Sequence, residues 1–138
     1  MRLAFSIYFT HMRADNVTKE KPERFGARVR RLRERQQITL RKFAEKIGIS
    51  PTYQSKVERD EFPPPGEETV RRMAEILGED PDELLALAGK VASDLPEIIQ
   101  KQPRAMATFL RAAKGLSAQE IERFTKQAKD MRKRPRPK

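Results

Sequence analysis

Residues 39–60 read TLRKFAEKIGISPTYQSKVERD. Leu40, Phe43, Ala44 and Ile47 recur at i, i+3, i+4 and i+7, the spacing of one buried helix face. Thr39 stands in front of them as an N-cap hydroxyl, and Gly48 behind them as a turn residue able to take positive φ. Ser50 followed by Pro51 is a second start signal, a capping hydroxyl and then proline at the first helical position. Tyr53 and Val57 share one face of this second helix. The stretch therefore predicts two short helices joined at Gly48–Ile49, with small Ala44 where they approach. This second helix offers Thr52, Gln54, Ser55 and Lys56, polar side chains able to hydrogen-bond base edges or phosphates. Arg41 and Lys42, in the first turn of the preceding helix, are placed to reach a phosphate backbone.

The same punctuation continues on both sides. Phe25, Val29 and Leu32 repeat at helical spacing in a segment that becomes helical from Pro22, with arginines on the other faces. Pro63–Pro64–Pro65–Gly66 admits no helix. A fourth helix follows with Val70, Met73, Ala74 and Leu77 inward, closed by Gly78. Asp80–Pro81–Asp82–Glu83 combines capping-box residues with proline at the first position of a fifth helix, which carries Leu84, Leu85, Leu87 and Ala88. After Asp94 come three more helical pieces: one from Pro96, one from Pro103 with Met106, Phe109, Leu110 and Ala113 inward, and one opened by Ser117 and Glu120 with Phe124, Ala128 and Met131. The expected fold is all-α, a five-helix domain over residues 22–92 followed by a helical extension over 93–132. Residues 1–21 are expected to be a loose arm or leader, and 133–138 a basic disordered tail.

On Leu40, Phe43, Ala44, Ile47, Gly48, Ile49, Ser50, Tyr53, Ser55–Lys56, Val57 and Glu58–Arg59, with FGARVRRLRERQQIT before them and LGEDPDELL after, the chain resembles the phage-repressor-like, Xre-type helix-turn-helix regulators. The resemblance spans residues 22–88. It implies a sequence-specific DNA-binding transcriptional regulator, a dimeric repressor reading an inverted repeat, with its recognition helix from about Pro51 to Arg59. Pro51, Thr52, Ser55 and Lys56 fall where relatives read bases. Thr39, Arg41, Lys42, Ser50 and Tyr53 fall near phosphates, and Arg33 and Glu58 where relatives hold a partly buried ion pair. Two positions depart from the pattern. Gln54 replaces an apolar packing residue, so either the helix is rotated or the amide finds a polar partner. Asp60 replaces the usual glycine, so the exit turn either differs or strains Asp60.

Composition narrows the alternatives. With 138 residues and 37% apolar content, the chain can build a modest core but not the deep pocket of most enzymes. It has no cysteine and a single histidine, His11, so no thiolate or histidine metal site is expected, and no cofactor. No catalytic constellation or glycine-rich phosphate loop is present, and the reading is not an enzyme. The charge of +10 is divided unevenly. Residues 20–60 hold 12 basic and 6 acidic side chains, residues 61–95 hold 3 and 9, and residues 96–138 hold 12 and 4. Basic surface of this kind suits a polyanion such as double-stranded DNA and predicts salt-sensitive binding. Leu3–Phe9 (LAFSIYF) is too short to span a bilayer and is a poor signal peptide, so no membrane role is expected and the cytoplasm is the default location. Met12 offers an alternative start, which would make the run a leader.

A homodimer is expected, its surface drawn from Leu84 and Leu87 of the fifth helix and from Met106, Phe109, Leu110 and Phe124 of the extension. The alternative is an antitoxin-type module that binds operator DNA and masks a partner protein through residues 96–138. An effector-sensing regulator is a further option, although a 45-residue extension leaves room for only a small pocket.

Overall fold

A computed structural model describes residues 21–137; the Leu3–Phe9 run and most of the expected arm lie outside them. Eight helices and no strand occur among the described residues. They are α1 (Phe25–Arg35), α2 (Leu40–Ile47), α3 (Pro51–Glu58), α4 (Glu67–Leu77), α5 (Pro81–Leu87), α6 (Asp94–Lys101), α7 (Pro103–Ala113) and α8 (Ala118–Lys133). The chain divides after Ala92 into two units.

In the first unit, α1 packs on α3 and α4, α2 on α3 and α4, and α4 on α5. Their apolar stripes meet in one core of Phe25, Val29, Phe43, Ile47, Val57, Val70, Met73, Ala74, Leu77, Leu84, Leu85 and Ala92. Leu84 is wholly inside it, which corrects its assignment to a dimer surface: the α5 stripe turns Leu84 and Leu85 into the core and leaves Leu87 partly buried at its edge.

Local chemistry sets most boundaries. The Asp80 carboxylate accepts from the backbone N–H groups of Asp82 (2.8 Å) and Glu83 (3.2 Å) at the start of α5. Glu83 does not complete the expected box, and the neighbouring Glu79 carboxyl pushes its pKa up. α1 begins at Phe25, three residues beyond Pro22. Its N-cap position, Arg24, supplies no side-chain cap. The missing acceptor comes from across the fold: Asp60 Oδ1 accepts from Gly26 N at 2.9 Å.

Gly26 is there because nothing larger fits. A Cβ at this position would lie 2.2 Å from the Val57 carbonyl oxygen and 2.8 Å from that of Glu58. These are backbone atoms of α3 and cannot swing aside, so α1 and α3 touch backbone to backbone.

The second unit is built differently. α7 starts with proline, and α8 opens on a complete capping box, Ser117 Oγ accepting from Glu120 N (3.2 Å) and Glu120 Oε2 from Ser117 N (2.8 Å). α6 begins at Asp94, with Pro96 inside its first turn rather than ahead of it; the first-turn N–H groups have no intrahelical acceptor, so proline costs nothing there. No residue of these three helices is buried. Phe109 is 52% exposed and Phe124 47%, and Leu110 and Ile121 stand open beside them, while Met106 is half-buried.

The close contact gives the first prediction. Gly26→Ala will lower unfolding stability by about 1–3 kcal/mol, the usual cost of overpacking, measured by denaturant titration. A variant as stable as wild type would mean that α1 and α3 are not in backbone contact.

Candidate nucleic-acid interface

α2 and α3 are each eight residues long, and the turn between them has little slack. Thr39 Oγ1 accepts from Lys42 N at 3.2 Å, and Ser50 Oγ from Tyr53 N at 3.1 Å. Gly48 takes φ +86°, so that Ile49 N donates to Ala44 O (3.0 Å) and Gly48 N to Glu45 O (3.2 Å), the paired bonds of a Schellman end. Arg72 of α4 adds a bond to the last turn of α2, Nη1 to Ile47 O at 3.0 Å.

α3 is held from its inner side by ionic groups as well as apolar ones. Arg33 Nε and Nη2 donate to Glu58 Oε2 and Oε1, each at 2.8 Å, and the two side chains are only 9% and 3% exposed. Arg33 Nη1 donates to Ile38 O, also at 2.8 Å. One guanidinium thus joins α1, the α1–α2 turn and α3. The hydrogen bonds to Glu58 push the Arg33 pKa further up, against the opposing effect of burial, so its charge is permanent.

Gln54 completes the cluster. Its Nε2 donates to Glu58 Oε2 at 2.8 Å, which chooses the second option open for this residue, a polar partner one turn along its own helix. The side chain is fully buried and its Oε1 has no hydrogen-bond partner. Reversing the amide would set that oxygen against the carboxylate, so the bond to Glu58 fixes its orientation.

Asp60 adopts the left-handed backbone usually left to glycine, φ +56°. Glu61 N donates to Lys56 O (2.9 Å) and Asp60 N to Val57 O (3.0 Å), ending α3 in a second Schellman pattern. An aspartate there carries mild strain, and in exchange its carboxylate caps α1.

The outer face of α3 is polar. Pro51 and Thr52 are exposed, while Ser55 and Lys56 are half-buried. Tyr53 packs partly against the core, its ring tilted 51° to Phe62 with centroids 5.8 Å apart. Thr39, Arg41, Lys42 and Ser50 are exposed around the N-termini of α2 and α3, the positive ends of both helices. Beside Ser55 lies a cleft of about 340 Å³ lined by Arg30, Arg33, Leu40, Ser55, Glu58 and Arg59. Arg30 and Arg59 of this cleft are not among the site residues that the sequence singles out. Arg59 follows Ser55 by four residues, a spacing that puts both on one helix face, and that signal was available. Among the described residues no cluster suited to a metal ion occurs, and no helix is long and apolar enough to cross a membrane.

Two capped helices at a glycine turn, the second pinned from behind and polar in front, define a helix-turn-helix unit. Residues 24–87 match the family model described as a helix-turn-helix domain. The chain is similar to the DNA-binding domain of the P22 c2 repressor (29% identity, 48% of this chain and 86% of that one, TM-score 0.44). It is also similar to the N-terminal DNA-binding domain of SinR from Bacillus subtilis (26%, 44% and 88%, TM-score 0.41). A third similar structure is the clp gene regulator ClgR from Corynebacterium glutamicum (25%, 67% and 92%, TM-score 0.42). No curated protein matches the chain. Residues 24–87 are thus a helix-turn-helix domain by the match to that family model as well as by their geometry.

Removing one member of the buried pair leaves the other charge unanswered. Glu58→Leu or Arg33→Met alone will cost about 3–5 kcal/mol, and the double variant much less than the sum, by urea unfolding. Additive losses would mean that the two groups do not interact in solution.

Proposed function

We propose that this protein is a transcriptional repressor that binds double-stranded DNA as a homodimer, with α3 in the major groove of each half of an inverted repeat. The observation that carries the reading is the two-sided character of α3: Gln54, Val57 and Glu58 are buried, and Pro51, Thr52, Ser55 and Lys56 line the other side. A helix fixed on one side and polar on the other can present donors to base edges at a set angle. Pro51, Thr52, Ser55 and Lys56 are assigned to bases. Thr39, Arg41, Lys42, Ser50 and Tyr53 are assigned to phosphates, with Arg30 and Arg59 added from the cleft.

A single unit of this size reads few bases, whereas two recognition helices about 34 Å apart read two half-sites. The open apolar side chains of α7 and α8, Phe109, Leu110 and Phe124, support a second copy as the partner of this half of the chain. Leu84 has no place in that surface. The same side chains support a second reading, an antitoxin-type module whose extension covers a different protein.

Selection of bound sequences from random duplexes tests the first reading, which requires a palindrome. On the selected duplex, Thr52→Ala and Lys56→Ala will each lose about 1–3 kcal/mol while binding to random duplex stays nearly constant. Arg41→Ala will weaken both alike and lower the salt slope by about one. Equal losses on both duplexes from Thr52→Ala and Lys56→Ala would remove α3 as the reading element.

Oligomeric state separates the two partners. Sedimentation equilibrium of the full chain is expected to give a dimer, and a chain ending at Ala92 a monomer with weakened operator binding. A full chain that stays monomeric alone would turn the assignment to the second reading.

A further inference from the structure

Phe62 lies outside the helix that reads and outside the core, yet it is built into the recognition surface. Its ring is 40% exposed, a cost in water that core packing does not explain. The chain folds back after α3 so that Phe62 N donates to Lys56 O at 3.3 Å, next to the Glu61 bond to the same oxygen. The ring is therefore tied to the backbone of Lys56 itself. Lys56 Nζ sits 4.8 Å from the Phe62 ring centroid, and Tyr53 braces the ring, centroid to centroid at 5.8 Å.

We infer that Phe62 is a positioning residue: its ring holds the Lys56 ammonium in one place before DNA arrives. The inference rests on the reading of Lys56 as a base contact. Lysine is a long side chain whose freedom must be given up on binding, and a donor already held loses less. A ring face attracts the cation without taking hydrogen bonds from it in the usual sense, so the three N–H donors stay available to a base edge. A carboxylate in the same place would hold the ammonium too, but it would occupy those donors and repel phosphate. An aromatic ring holds the cation without either penalty.

The test uses the full chain with Phe62→Leu, Phe62→Trp, Lys56→Met and the Leu/Met double variant, against the selected duplex and a random one. Phe62→Leu is expected to weaken the selected duplex by roughly two- to five-fold, the scale of an exposed cation–π contact, with random-duplex affinity unchanged. Phe62→Trp will restore binding, and in the Lys56→Met background Phe62→Leu will have no further effect. In the free protein, the Lys56 ε-methylene protons will be shifted upfield by the ring in wild type and Phe62→Trp, and not in Phe62→Leu. An equal loss from Phe62→Leu with or without Lys56, no loss at all, or unshifted ε-protons in wild type overturns the positioning role. If Lys56→Met itself leaves discrimination intact, the base assignment of Lys56 falls and the positioning role with it. A full Lys56→Met loss beside a silent Phe62→Leu removes the positioning role alone.

Discussion

A guanidinium withdrawn from water must have its charge and its donors answered, and Arg33 answers them in three places at once. Glu58 takes two of its N–H groups and Ile38 O a third. Such a pair adds little net stability compared with well-packed apolar residues, because desolvation consumes most of the attraction. What it adds is direction. Apolar contacts allow a short helix such as α3 to roll by some degrees at little cost, whereas a bidentate pair at 2.8 Å does not. Gln54 narrows the choice further by hydrogen-bonding the same carboxylate from within α3.

A second joint works with it. Asp60 ends α3 and caps α1 in one residue, and Gly26 lets the two backbones meet at that point. Arg33 and Gly26 are both on α1, two turns apart, so α1, which touches no base in this reading, holds the C-terminal end of α3 from two points. The basic character of α1 leaves Arg30 on the rim of the cleft beside Ser55.

Features made by neighbouring residues were legible from the chain alone. The caps at Thr39, Ser50, Asp80 and Ser117, the turn at Gly48 and the proline starts at 51, 81 and 103 depend on side chains within a few positions of the backbone they serve. The all-α class followed from them. Features made by distant residues were less legible. Resemblance, rather than spacing, suggested Arg33 with Glu58. The Asp60 cap on α1 joins positions 34 residues apart and gives no local sign. Leu84 was misplaced because a stripe of Leu84, Leu85 and Leu87 does not say which of its members faces α4. Gln54 could have been resolved, since Glu58 lies four residues on and an amide and a carboxylate at that spacing can meet. Gln37, at φ +58° in the turn between α1 and α2, carries no turn signal in its type; the turn is imposed by the helices it joins.

The extension has a consequence of another kind. Its helices of 8, 11 and 16 residues are near or below the length at which an isolated helix survives in water, and none of their residues is buried. In the homodimer proposed above, a second copy covers these side chains, and its contribution to their order follows mass action. The amount of protein present then becomes a signal in its own right. On that proposal, low abundance leaves the extension without this cover. The same proposal has ordering of the extension and association advance together as abundance rises, so that a gradual change in synthesis becomes a steeper change in assembled protein.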